Sequence, residues 1–203
     1  MNQPEHGIRG ISFDPSLTRF GTAVFYFDPV TGLRIERLFL IRTEKTKQRV
    51  IRVYSDHLRR AQEISKALRY LTRYRQQPIE LVITEIPNGP STYTAANAFG
   101  ICLGVISSVA LDWPLIEVTE DQVKIAATGN RHATKQEIMN WAIGKYPDAQ
   151  WLVKKRKGKL SYTKDNEHLA DAVACIHAAK ETNLWRVMML GKKMVSEPRH
   201  SPT

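Results

Sequence analysis

The stretch that most constrains this chain is Ile79 to Glu85, Ile-Glu-Leu-Val-Ile-Thr-Glu, nearly continuous in apolar residues over the length of a strand and closed by an acid. A strand with one wet face alternates apolar with polar residues. A run that does not alternate suits a strand covered on both faces, hence central and parallel to its neighbour. Upstream the signal differs. Ile8 to Asp14, Gly21 to Phe27 and Leu33 to Ile41 read as three strands, with Asp28-Pro29-Val30-Thr31-Gly32 as the turn between the last two, and predict an antiparallel meander. The first of these ends on Asp14, among Ile8, Ile11 and Phe13. An isolated charge buried there is costly, so either Asp14 faces water or a cation meets it. Two strands, then, each end in a carboxylate.

Helical patterns fill the intervals. Tyr54, Leu58, Ala61, Ile64, Leu68 and Leu71 recur at helical spacing until Pro78, and Arg52, Arg59, Arg60, Lys66, Arg69 and Arg73 form an opposite face read as solvated. After the loop Ile86 to Thr92, a helix from about Tyr93 to Leu111 carries Phe99, Cys102, Leu103, Ile106 and Val109 as its apolar stripe. Ala96, Gly100 and Gly104 add small residues at fourfold spacing, a pattern for close packing inside the monomer or across a dimer. A fifth strand, Pro114 to Val118, leads into Thr119-Glu-Asp-Gln122, a capping box opening a helix that ends at Gly129. Thr134-Lys-Gln-Glu137 opens another ending near Tyr146. Lys124 and Lys135 lie in or near these first turns, where the helix dipole opposes a cation and free N–H groups favour phosphate; a phosphate ligand would offset the conflict. A final core helix begins near Asp165 or Asn166, with Asp165 read as its N-cap. On it His168 and Asp171 share one face while Leu169, Val173 and Ile176 face the core. A short helix, Asn183 to Met194, follows. Residues 1–195 are expected to form one domain and 196–203 a loose tail.

Thirty Lys and Arg against twenty Asp and Glu give a net charge of +10, which points to a polyanionic partner, nucleic acid or an acidic membrane surface. The densest run, Lys154 to Lys159, is read as a loop contacting a DNA backbone, with a merely solvated loop as the alternative. The N-terminus carries no secretory pattern and no run is expected to span a bilayer, so the expected place is the cytoplasm, with no membrane partner. Cys102 and Cys175 fall inside apolar helical patterns and suit core packing in a reducing compartment.

Asp14, Glu85 and Asp171 with the His168 imidazole make an oxygen-rich set that suits hard divalent ions, Mg2+ or Mn2+. Two such ions about 3.5–4 Å apart can activate water and stabilise the leaving oxygen in phosphodiester hydrolysis. Glu167, four before Asp171, is the alternative to His168 as fourth ligand.

The ordered set Gly-Ile-Ser-Phe-Asp14-Pro-Ser followed by Gly21, then Val-Ile-Thr-Glu85, then Val123-Lys124 with Thr128-Gly129 and Lys135, then His168-Leu-Ala-Asp171-Ala, resembles the RuvC family of Holliday-junction resolvases over about Ile8 to Ala179. The resemblance implies an α/β, ribonuclease H-like fold: a five-stranded mixed sheet, three antiparallel and two parallel strands, flanked by helices. It implies Asp14, Glu85, His168 and Asp171 as the metal-binding catalytic set and Lys124 and Lys135 as functional lysines. It also implies a homodimer packed through the helix after Glu85, nicking strands of like polarity as a pair in a four-way junction and leaving 5′-phosphate and 3′-hydroxyl ends. On this reading Lys154, Lys155, Arg156 and Lys157 bind DNA as well. The chain departs from the family at Ser16, where glycine usually follows Asp-Pro, and at Asn88, where many members carry an aromatic for stacking; Tyr93 is the nearest substitute. The basic run is heavier than in cellular members, as in a divergent, phage-encoded relative. The rival readings are a non-catalytic branched-DNA binding module, a ribonuclease H-like enzyme acting on RNA, and an actin-like or sugar-kinase-like nucleotide phosphotransferase, which would need a second subdomain and glycine-rich loops that this chain lacks.

Overall fold

A computed structural model describes residues 7–48, 52–73, 78–87, 89, 92–156 and 158–196. The three N-terminal strands are β1 (Ile8–Asp14), β2 (Arg19–Asp28) and β3 (Gly32–Arg42). They are followed by α1 (Val53–Arg73), β4 (Leu81–Ile86), α2 (Tyr93–Ala110), β5 (Leu115–Thr119), α3 (Glu120–Thr128) and α4 (Lys135–Lys145). A hairpin of β6 (Val153–Arg156) and β7 (Lys159–Tyr162) precedes α5 (Asn166–Lys180) and α6 (Asn183–Ser196). The large sheet runs β3-β2-β1-β4-β5. β1 pairs antiparallel with β2, and β2 with β3; β4 pairs parallel with β1 on one side and β5 on the other. Its apolar run therefore has a strand on each side and a helical layer over each face.

The period of two sorts the sheet residues between two cores. Ile8, Ala23, Phe25, Leu81, Ile83, Ile116 and Val118 face α3, α4 and α5. Ile11, Phe13, Phe20, Val24 and Val82 face Ile64 and Leu68 of α1 and Cys102 and Ile106 of α2. α5 is buried almost all round, and it lies so close over β2 that a Cβ on Gly21 would collide with the His168 carbonyl. Only glycine lets the α5 backbone settle at that height.

Several expectations change. Arg60, assigned to a solvated face, is buried and donates to Thr43 Oγ1 at 2.7 Å, Leu17 O at 3.0 Å and Thr18 Oγ1 at 2.9 Å, because the end of β3 folds over it. Tyr54 and Leu58, assigned to the apolar stripe of α1, are exposed, and its buried apolar residues begin at Ile64. Asp165 makes no side-chain cap; Arg19 and Arg42, each at 2.8 Å, take its carboxylate instead. The basic run is no loop: Val153 pairs with Tyr162 and Arg156 with Lys159, and Gly158 closes the turn at φ 78°. Lysine disfavours strands and hid this hairpin, whose one local signal was the glycine at 158.

α2, with 18 residues at mean hydropathy 1.4, is by length and composition apolar enough to cross a membrane, contrary to the expectation that no run reaches that length. In the fold its Cys102, Val105, Ile106 and Ala110 are buried against α1 and the sheet. Gly100 and Gly104 face outward with open space around them. Both cysteines are free and buried, and burial pushes the Cys102 thiol up to about 12. Asn88, Lys157 and residues 197–203 lie outside the described residues, as do the side chains of Arg73 and Arg156.

Candidate metal centre and nucleic-acid surface

The parallel register sets the centre. Phe13 pairs with Thr84, so the next residues, Asp14 at the end of β1 and Glu85 one residue before the end of β4, lie on adjacent strands spaced about 4.8 Å apart. By parity Asp14 lies on the face of Ile8, and Glu85 on the face of Leu81 and Ile83, which is the α5 side. β5 ends alongside: Thr119 is aligned with Ile86, and its capping box turns the chain straight into α3. α5 crosses above and brings Asp171, 8 % exposed, to the same rim. A cavity of about 210 Å³ opens there, lined by Asp14, Glu85, Glu120, Val123, Lys124, Lys135, Ile138 and Asp171.

The electrostatics are those of crowded, desolvated acids. Burial, then the neighbouring Asp14 and Asp171 charges, raise Glu85 to about 8, against the partial relief given by Lys135. Asp171 is likewise pushed to about 8, by burial first and Asp14 second. Burial alone would lower Lys135, but Asp171, Asp14, Glu167 and Glu85 prevail and hold it above the ordinary lysine value. Lys124 forms an ion pair with Glu120 at 2.6 Å. His168 Nδ1 lies within hydrogen-bond distance of Asp14 Oδ2, at 2.7 Å. Its Nε2 is 3.6 Å from Glu167 Oε1. Neither candidate for a fourth ligand is among the residues lining the cavity: His168 is held against Asp14, and Glu167 borders a second groove of about 370 Å³ with Thr134, Lys135, Gln136, Met139 and Lys164.

This donor set fits a hard divalent cation: carboxylate oxygens from three elements, short of positive charge, in a partly closed cavity. The fit is one of donor chemistry, since among the described residues no three His, Cys, Asp or Glu side chains already surround one point. Asp14, Glu85 and Asp171 are the residues that could hold it.

Of the other expected site residues, Lys124 and Lys135 reach the cavity. Lys154 and Lys155 stand exposed on the hairpin instead. Tyr93 is 75 % exposed at the start of α2. Two site residues were missed. Glu120 was absorbed into the capping box, although its spacing of four from Lys124 marked a pair on one helical face. Lys164 gave no sequence signal beyond its charge.

No protein-family model and no curated protein sequence matches the chain. Solved structures do. Thermus thermophilus RuvC in complex with a Holliday junction substrate superposes with a TM-score of 0.64 at 20% identity, covering 91% of this chain and 97% of that one. Thermus thermophilus RuvC alone gives 0.59 at 22% identity over 84% and 92% of the two chains. The yeast mitochondrial Holliday junction resolvase Ydc2 gives 0.58 at 10% identity over 93% and 84%. The five-stranded mixed sheet with its flanking helices is thus the ribonuclease H-like fold, shared with the RuvC structures.

Proposed function

We propose that this chain is a divalent-metal-dependent endonuclease that resolves four-way DNA junctions, working as a homodimer that nicks two strands of like polarity. The observation that carries the reading is the meeting of Asp14, Glu85 and Asp171 with Lys124 and Lys135 around one cavity, in a chain of net charge +10. The similarity to junction-resolving structures supports the same reading at the level of fold. When bound, Mg2+ or Mn2+ supplies Lewis acidity, lowering the pKa of a water and neutralising charge on the phosphodiester.

Each protein group has its own part. Asp14, Glu85 and Asp171 hold the cations, and His168 orients the Asp14 carboxylate through its Nδ1–H. Lys135 binds the phosphate on the open side, and Lys124 exchanges Glu120 for a phosphate oxygen when DNA arrives. The outward face of α2, apolar and relieved of side chains at Gly100 and Gly104, suits a second copy of the chain. Two copies about a two-fold axis present two sites to a substrate of the same symmetry.

The test is incubation of the protein with Mg2+ and a synthetic four-way junction, beside a linear duplex and an RNA–DNA hybrid. Symmetric paired nicks in the junction alone, with ligatable 5′-phosphate ends, are expected. Cleavage of the hybrid in preference to the junction contradicts the reading. Junction binding without cleavage in either metal would instead make the chain a binding module.

A further inference from the structure

The β6–β7 hairpin stands clear of the body. Every residue of it whose side chain is described, Val153 to Lys155 and Lys159 to Tyr162, is exposed. Directly paired residues share a face of the ribbon, so the register puts Val153 and Tyr162 together with Lys155 and Leu160. That face presents Val153 at 54 %, Leu160 at 71 % and Tyr162 at 48 % exposure. The other carries Lys154, Ser161 and Lys159. Three large apolar side chains on a lone two-stranded ribbon add little to stability, because such a ribbon has no core of its own. Held in water, they mark a surface that something else covers.

The root of the hairpin, by contrast, is rigid. Asn166 is fully buried; its Oδ1 accepts from the Leu152 N–H at 2.8 Å, and its Nδ2 donates to Leu152 O at 2.8 Å and Thr163 O at 3.1 Å. Leu152 and Thr163 are the two residues flanking the ribbon, and the Thr163 N–H donates to Leu152 O at 3.0 Å. Asn166 also begins α5, the helix that carries His168 and Asp171. The ribbon is therefore fixed to the element that supplies the catalytic carboxylate. Lys135 borders both the acidic cavity and the second groove, and Lys164 borders that groove just beyond β7, so cations mark a path from the cavity to the hairpin root.

Resting on the reading of the chain as a junction nuclease, we infer that the hairpin is a branch-point probe: Val153, Leu160 and Tyr162 pack on bases unstacked at the centre of a branched DNA, while its lysines hold the adjoining phosphates. Charge selects the occupant. No Asp or Glu lies between Asp148 and Asp165, so the surface is complementary to a polyanion. Apolar and aromatic side chains among those cations fit a polyanion with exposed ring faces. An unbroken duplex hides its base faces in the stack, whereas a branch centre offers them. The apolar face thereby favours branched over linear DNA, which a phosphate-binding loop could not do.

Two variants of the full chain separate the two faces: Leu160→Ser with Tyr162→Ser, and Lys154→Gln with Lys159→Gln. Binding to a four-way junction and to a linear duplex is measured against salt, with 2-aminopurine placed at the branch point. The apolar double variant is expected to lose junction affinity by about tenfold while duplex affinity and the salt slope stay unchanged, and to lose the fluorescence rise that the unaltered protein gives. The lysine double variant is expected to weaken both DNAs and flatten the log–log salt slope by about two units. All four positions are exposed, so unchanged melting temperatures certify the fold. An apolar variant that binds both DNAs like the unaltered protein, or weakens both alike, overturns the inference. So does binding to anionic phosphatidylserine vesicles that depends on Leu160 and Tyr162 while DNA binding does not. If the unaltered protein fails to prefer the junction at all, the proposed function itself falls, an outcome distinguishable from failure of the hairpin alone.

Discussion

The acidic cavity and the β6–β7 hairpin are built by opposite means. In the cavity, strand register, a glycine and a buried helix bring like charges together against their mutual repulsion, and the core restrains the chain at Asp14, Glu85 and Asp171. The hairpin spreads like charges along an exposed ribbon where water screens them, and one buried amide, Asn166, ties its root to the body. The first design gives position at the expense of stability, as raised carboxylate pKa values show. The second gives reach. Chemistry should therefore fail abruptly when a cavity carboxylate changes, and affinity should decline gradually as cations, in the cavity or on the ribbon, are removed.

The sharpest contrast comes from Asp14→Asn, which keeps the shape and removes one carboxylate. Cleavage of a four-way junction should drop by at least about 10²–10³-fold, while junction binding in a gel-shift assay persists. Retained cleavage would take Asp14 out of the mechanism. Next is Gly21→Ala. Its methyl would press on the His168 carbonyl, lifting α5 and separating His168 from Asp14. We expect destabilisation of about 1–3 kcal/mol by thermal melting, with a loss of activity of about 10²-fold that exceeds what the lower stability explains.

The third test uses pH. Folded values near 8 for Glu85 and Asp171 stand above their ordinary 4.5 and 3.8. The folded state thus binds these protons more tightly, and the stabilisation they give is complete below about pH 4 and lost as pH rises through 8. Without divalent ions the melting temperature should carry a falling component between pH 5 and 8. Because Mg2+ competes with the same protons, the increment it adds should grow over that interval. An increment equal at both ends would contradict a shared site. The smallest effect belongs to the lysines: Lys135→Ala should weaken junction binding several-fold and reduce the salt slope by about one unit, without unfolding the protein. An unchanged slope would separate Lys135 from phosphate.

These contrasts also govern what the sequence could reveal. β1 and β4 were legible with their terminal acids because their patterns belong to the strands themselves, and both capping boxes, at Thr119 and Thr134, are local signatures and are present. Arg60 was assigned to water because only α1 could be read, whereas the residues that cover it, Leu17, Thr18 and Thr43, come from elsewhere in the chain. Tyr54 and Leu58 kept helical spacing but not burial, because spacing along one helix does not say how far the neighbouring elements cover it. Glu120 hid inside a cap, and the hairpin hid beneath its lysines. The close pass of α5 over Gly21 depends on two segments far apart in the chain and needed coordinates.

The central claim is that Asp14, Glu85 and Asp171 form one cation site, and calorimetric titration of Mn2+ at pH 8 into the unaltered protein and into Asp14→Asn, Glu85→Gln and Asp171→Asn tests it without any DNA. The account predicts saturable binding in the first and at least about tenfold weaker binding in each of the others. Three variants that bind Mn2+ as the unaltered protein does would contradict it.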